Sequence, residues 1–176
     1  MVKKFFAFLV WIALVLILVI VFLPKKELYY LAESYLLPLK ININEETASD
    51  RGLVFSLQNG QIIYDRMNIT RFDEIALTTT LFYNALEIKP FVLSSEVGAF
   101  LPRRIERLKA THHIFMPHIV NFSGEGEFGS FKGKLNLIDR KMAITLDAPS
   151  EVQQKYSQIV RMMNRTEEGL VYELQF

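Results

Sequence analysis

No cysteine occurs anywhere in the chain. Disulfides, a thiolate nucleophile and cysteine metal sites are therefore excluded. An absence of cysteine fits a bacterial periplasmic domain without requiring one. Excess charge of either sign is also missing, since Lys and Arg total 20 against 19 for Asp and Glu. A nucleic-acid partner calls for a basic surplus, so that class is set aside. The nucleophile elbow G-x-S-x-G does not occur. On a regularly alternating strand, neighbouring carboxylates such as Asp73-Glu74 are expected to point to opposite faces and not to flank one bond. No catalytic residue, metal ligand or cofactor is expected, and a non-enzyme is the reading these absences favour.

What is present begins with Phe5 to Leu23, nineteen residues without a charge, amide, glycine or proline. At about 1.5 Å per residue such a helix is roughly 28 Å long, close to the hydrocarbon thickness of a bilayer. The run is longer than a signal-peptide core and no A-x-A cleavage pattern follows, so a retained transmembrane anchor is expected over 5–23 after a leader of residues 1–4. Phe5 and Leu23 bound it, and Trp11 lies inside it. Lys3 and Lys4 precede the run and Lys25 and Lys26 follow it, a near tie in which the terminal amine and Glu27 favour a cytoplasmic N-terminus. Residues 24–38 read as a short juxtamembrane helix with Leu28, Leu31, Ala32, Tyr35 and Leu36 on one face, stopped by Pro38. That face either packs on the domain or lies in the membrane interface.

From Leu39 the apolar period becomes two, and residues 39–176 read as one domain. Asn59-Gly60 predicts a type I′ hairpin that sets Leu57 opposite Ile62 and Phe55 opposite Tyr64. Ile75 to Tyr83 alternates as a strand, and Leu86, Ile88 and Val92 suggest another that Pro90 pushes to an edge or bend. Strands are also expected over Ile105 to Phe115 and Ile119 to Ser123. A second hairpin at Asp139-Arg140 would place Leu137 opposite Met142 and Leu135 opposite Ile144. After Pro149 a capping box, Ser150 with Gln153, opens an amphipathic helix over 150–164 carrying Val152, Tyr156, Ile159, Val160 and Met163. Glu168-Gly169 breaks it, and Leu170 to Phe176 closes the chain as a strand. The fold expected is mainly β with flanking helices (α+β), an antiparallel sheet with one greasy and one polar face.

Three motifs suggest chemistry and lack its context. Gly124 to Gly129 matches G-x-G-x-x-G, but a strand follows where a dinucleotide site needs a helix. His112, His113 and His118 match no zinc spacing. Arg103, Arg104, Arg107 and Lys109 form a candidate basic patch for lipid phosphate or an acidic partner, with Glu106 among them.

The Leu57-Gln58-Asn59-Gly60-Gln61-Ile62-Ile63-Tyr64-Asp65 stretch follows the anchor. Later come Gly126-Glu127-Phe128-Gly129-Ser130-Phe131-Lys132-Gly133-Lys134-Leu135, the helix after Ala148-Pro149-Ser150, and Glu168-Gly169-Leu170-Val171-Tyr172. This order resembles the type II secretion protein N family and, more loosely, the AsmA-like proteins of the bacterial envelope. The resemblance implies a curved antiparallel sheet with an apolar groove, held in the periplasm by one inner-membrane helix, and brings no catalytic residues. Two functions are then expected. One is a single-pass inner-membrane protein whose periplasmic domain is a structural or accessory subunit of an envelope-spanning machine, a secretion system or flagellar motor. The other is a lipid-binding or lipid-transfer module, with acyl chains, the bilayer and other envelope proteins as partners. Its candidate groove is the face carrying Phe55, Leu57, Ile62, Tyr64, Leu135, Leu137, Met142 and Ile144.

Overall fold

The computed structural model describes residues 2–44, 47–95, 103–166 and 169–176, without the side chains of residues 2, 3, 5, 7, 158 and 159. The Phe5 and Ile159 side chains and the Glu168 helix break therefore lie outside the described residues.

Among the described residues eleven strands form one antiparallel sheet: β1 (Ile41–Asn44), β2 (Thr47–Asp50), β3 (Val54–Tyr64), β4 (Met67–Thr79), β5 (Tyr83–Leu93), β6 (Arg104–His113), β7 (Ile119–Gly126), β8 (Gly129–Asn136), β9 (Lys141–Asp147), β10 (Asn164–Thr166) and β11 (Gly169–Gln175). Their order is β1-β3-β4-β5-β6-β7-β8-β9-β11-β10, with β2 also on β3. Among the described residues four α-helices flank it: α1 (Val2–Phe22), α2 (Lys25–Leu36), α3 (Ser150–Lys155) and α4 (Ser157–Val160). The mainly β, antiparallel architecture is as expected.

The ladder registers place one face across the whole sheet. Phe55, Leu57 and Ile62 of β3 share a side with Ile75 and Phe72 of β4, and Ile88 and Phe91 of β5. Pairing carries that side on to Leu108 and Ile105, to Phe122 and Gly124, to Gly133 and Phe131, and to Ile144, Leu146 and Tyr172. The opposite side carries Glu74, Lys89, Arg107, Lys109, Lys132, Lys134 and Glu173.

Simple alternation fails along one row. Between inward residues, β3 has Gln58-Asn59, β4 has Asp73-Glu74, β5 has Lys89-Pro90 and β6 has Glu106-Arg107: two successive residues where one is normal. The four interruptions lie side by side, so the sheet is creased across these strands and keeps its apolar face on one side. A bulge between Ile105 and Arg107 ends the crease at β7.

The crease accounts for the largest departure from the sequence reading. Asn59 does adopt positive φ, 57°, but within β3 and not in a turn. The chain turns two residues beyond Ile63, at Asp65-Arg66, both with positive φ. Leu57 therefore faces Ile75, Phe55 faces Leu77, Ile62 faces Thr70 and Tyr64 faces Met67. Gly60 is needed for a different reason: a Cβ there would overlap the Phe72 ring, which is only 1% exposed. Pro90 sits in an interior strand, not at an edge, because the crease lacks the ladder bond that its missing N–H would leave unmade.

The second hairpin closes two residues earlier than expected. Leu135 faces Met142, Gly133 faces Ile144, and Leu137 lies in the loop. The Asn136 side chain sets this loop by accepting from Ile138 N at 3.1 Å and Asp139 N at 3.2 Å. A shift by two preserves which face each side chain takes.

The helices also differ from expectation. Among the described residues no single helix is long and apolar enough to cross a membrane. Phe8–Phe22 and Lys25–Leu39 pass that requirement together, as a pair bent by 57°. The straight single span over Phe5–Leu23 is corrected accordingly. The bend follows Pro24, and Lys25, 5% exposed, donates from Nζ to the Ile20 carbonyl at 2.7 Å, satisfying an end that α1 leaves open. α2 packs through Tyr29 on Phe55, with ring centroids 5.6 Å apart, whereas Leu28, Leu31 and Tyr35 are exposed. Its packed face is thus not the expected one. A 3₁₀ turn, Leu37–Leu39, replaces the last turn of the helix at Pro38.

The C-terminal helix is shorter than residues 150–164, interrupted at Tyr156 (φ −109°, ψ 37°), with Asn164 already in β10. Ser150 forms no cap; Gln153 Nε2 instead donates to the Ala148 carbonyl at 2.8 Å.

Replacing Gly60 with Ala is expected to destabilise the fold by about 1–3 kcal/mol through overpacking. Chemical denaturation measures it. The Gly60→Ala/Phe72→Leu double variant should lose less than the sum of the single losses, because the two share one contact. Strict additivity would show that the ring does not press on Gly60.

Candidate functional site

The apolar face is covered in two places. At one edge α2 seats Tyr29 over a buried cluster of Phe55, Leu57 and Phe72, with Ile62 packed against it. The expected groove is therefore filled at that end, and Tyr64, the last residue of β3, stands exposed. At the other edge α3 and α4 lie over β8, β9 and β11 and leave space beneath.

That space is a cavity of about 530 Å³. Its sheet wall includes Phe131, Ile144, Leu146 and Tyr172, with Ile105 and Leu93 at one side. Val152, Tyr156, Val160 and Met163 form the helical wall. Among the described residues none that lines it is charged. The volume falls in the range of about 300–1,000 Å³ usual for small-molecule sites.

Glycines shape the floor. Phe122 pairs with Gly133 and Gly124 with Phe131, a checkerboard in which each ring occupies the place a Cβ would take. The two rings sit 6.1 Å apart, and Phe128 tilts onto Phe131 at 5.5 Å. Gly126 pairs with Gly129 at the end of a two-residue turn, Glu127-Phe128. A Cβ on Gly126 would meet the Arg104 carbonyl at 2.6 Å. The G-x-G-x-x-G stretch is thus a hairpin whose glycines admit rings and backbone.

Of the eight expected groove residues, Ile144 lines the cavity, and Leu135 and Met142 lie on the same face nearby. Phe55, Leu57 and Ile62 belong to the covered end, while Leu137 leaves the face altogether. Phe128, Phe131, Leu93 and Ile105 were not singled out by the sequence reading. Phe131 alternates with Lys132 and Lys134 beyond a glycine, a strand signal that was readable.

The basic patch contains its own counter-charges. Arg104 Nε meets Glu106 at 2.6 Å, and Arg107 lies 3.2 Å from Glu87 and 3.8 Å from Glu125. The Glu106 carboxylate, through its hydrogen bond and charge, raises the Arg104 pKa above its ordinary value. Lys109 shares the outer face opposite Glu87 and Ser123, and Arg103 offers its carbonyl to Leu93 N at 2.9 Å. Such exposed pairs in a solvated face contribute little stability.

An open hollow of about 640 Å³ on this side runs past Glu106, Glu125 and Asp147. It is larger than the apolar cavity, but two of its three carboxylates already face arginines. His112 is held by the Pro117 carbonyl at 3.1 Å and His113 packs on Tyr83 at 4.9 Å. Among the described residues no group of three or more His, Cys, Asp or Glu side chains is placed to hold a metal.

Trp11 and Leu23 of the expected anchor are exposed along and just beyond α1. No family model matches the chain, and no curated protein or solved structure matches it.

The register difference is measurable. Leu135→Asp sets a carboxylate on the apolar face opposite Met142 and is expected to destabilise by about 2 kcal/mol or more. Leu137→Asp, in the exposed loop, should stay within about 0.5 kcal/mol of the parent. Urea titration of both variants decides, and equal losses would restore the earlier pairing.

Proposed function

We propose that this chain is a non-catalytic lipid-binding module, tethered to the bacterial inner membrane, with its sheet in the periplasm and its N-terminus in the cytoplasm. The cavity under α3 and α4 takes the acyl portion of the lipid. The observation that carries this reading is the cavity itself: about 530 Å³ with no charged residue among the described residues of its wall. An apolar space of that size favours an apolar occupant, at roughly 25 cal/mol for each Å² withdrawn from water. The tether is supported by the apolar composition of α1 and by the bent pair that passes the membrane requirement in length and composition. The resemblance to type II secretion protein N and AsmA-like proteins agrees with a groove of this kind.

A second reading is a structural accessory subunit of an envelope-spanning machine, a secretion system or flagellar motor. It is favoured by the sheet edges. Among the described residues β1 and β2 pair only with β3, and residues 172–175 of β11 pair only with β9. Open edges accept added strands from partners. Crosslinked pull-down from membranes should then recover defined machine components, and their absence would sink this second reading.

Native mass spectrometry of the full chain released from membranes tests the first. Lipid adducts are expected on the parent. Ile144→Trp, which fills the cavity, should lower their occupancy about tenfold, corresponding to 1.4 kcal/mol of binding. Lys134→Trp on the outward face of β8 should leave occupancy unchanged. A parent without adducts, or equal adducts on both variants, would reject lipid holding at this cavity.

A further inference from the structure

We infer that the turns at one end of the sheet make a second contact with the bilayer, so that the domain stands upright beside α1. This rests on the reading of α1 as a membrane tether. Antiparallel order puts the β4–β5, β6–β7 and β8–β9 turns at one end and the β3–β4 and β7–β8 turns at the other. The first set carries Phe82, Ile114, Phe115, Met116, Leu137 and Ile138, all exposed, with Phe115 at 78% and Ile138 at 73%. The second set, among the described residues, carries Asp65, Arg66 and Glu127, and its one large apolar residue, Phe128, is buried at 8%.

The apolar turns form one continuous rim. Ile114 N donates to the Phe82 carbonyl at 3.1 Å, Leu137 N to the His118 carbonyl at 2.9 Å, and Phe176 N to the Arg140 carbonyl at 3.0 Å. Phe82 and Phe115 stack at 5.5 Å with planes 15° apart. At a strand spacing of about 4.8 Å the rim is roughly 30 Å wide. A contiguous exposed apolar strip of this length marks an interaction site.

The position of α1 identifies the partner as a membrane. Thr79 N donates to the Leu53 carbonyl at 2.8 Å, which fixes the β2–β3 turn at the same end. A Cβ on Gly52 in that turn would lie 3.3 Å from Val21 Cγ1, in the last turn of α1. The apolar rod and the apolar rim therefore begin at one place. Arg51, Arg140 and Lys141 border the rim, and among the described residues none of them forms an ion pair. Apolar tips flanked by cations suit an interface of acyl chains and anionic headgroups. Leu77, Leu86 and Leu174, inward residues near the rim, are exposed, so the apolar face opens toward the lipid.

The chain has no cysteine, so single cysteines report position directly. Phe115→Cys, Ile138→Cys, Arg66→Cys, Leu31→Cys and Leu16→Cys in the full chain would each carry an environment-sensitive nitrobenzoxadiazole label. The proteins are placed in nanodiscs of phosphatidylethanolamine and phosphatidylglycerol containing acyl-chain spin-labelled lipid. Labels at Phe115 and Ile138 should be blue-shifted and quenched several-fold more strongly than at Arg66, as for groups held roughly 5–10 Å into the interface. A blue shift without lipid quenching would mean that protein covers the rim and would overturn the inference. So would quenching at Leu31 with the rim in water, which puts the domain on its α2 side. Quenching at Leu16 alone leaves the tether standing and rejects the rim. An aqueous Leu16 label rejects the tether and the rim inference with it.

Discussion

The Phe72 ring, its Cζ end foremost, occupies the place that a Cβ on Gly60 would take, and that contact carries the sheet across its most irregular row. At the crease four neighbouring strands each insert an additional outward residue. Without it the inward set of every strand would change sides halfway along, because a step of one reverses the face. Closure of the crease requires inward side chains of unequal size to meet across it. A large ring over a residue with no Cβ meets that need, and Phe72 is among the most buried side chains described. Phe122 on Gly133 and Phe131 on Gly124 repeat the arrangement farther along. Rings laid over glycines keep the face smooth and apolar without filling the space above it. The floor of the cavity and the continuity of the sheet thus have a common origin.

The two coverings of that face behave differently because their lengths differ. α2 has twelve residues, enough for Tyr29 to settle on Phe55 and for the cluster beneath it to close. α3 and α4 have six and four, separated at Tyr156, where the backbone leaves helical geometry. Short pieces cannot set a full row of side chains into the grooves of a layer below. They bridge the sheet and do not fill against it, anchored by Gln153 to the Ala148 carbonyl and by Arg165 to Gln153 at 3.0 Å. A ligand that binds only the folded chain adds to its stability in proportion to its affinity. Lipid held beneath these helices would supply contacts that their own side chains do not.

The two-faced sheet and most of its strands could be read from the sequence, because alternation depends only on parity. Leu135, Met142 and Ile144 were given the correct side although their partners were two residues off. The first turn was not readable. Asn-Gly signals positive φ without saying whether a turn or a kink uses it, and Asp65-Arg66 carries no glycine to announce the actual turn. The four interruptions of the crease, each invisible alone, become one feature only when the strands are side by side. α2 offered two faces at helical spacing. The more aliphatic one, Leu28, Leu31 and Tyr35, turned outward, and Tyr29 with buried Lys25 turned in. The cavity needed both the hairpin of Phe128 and Phe131 and the break at Tyr156, which no local pattern joins.

Lys25 gives the junction of α1 with the domain its physical sense. A lysine is rarely buried unless its ammonium has partners. Here those partners are the carbonyl of Ile20 at 2.7 Å and, more distantly, that of Leu23 at 3.5 Å. The free carbonyls at the end of α1 carry the negative pole of the helix, so a cation there is stabilised by the dipole as well as by the bonds. Loss of the ammonium would leave the Ile20 carbonyl without this donor. Pro24 prevents α1 from continuing, and Gly52 lets the β2–β3 turn approach Val21 on the same side. Proline, lysine and glycine together set where the apolar rod leaves the sheet. It leaves from the end with apolar turns and exposed inward leucines. The direction of the helix and the opening of the apolar face are consequently fixed by the same few contacts.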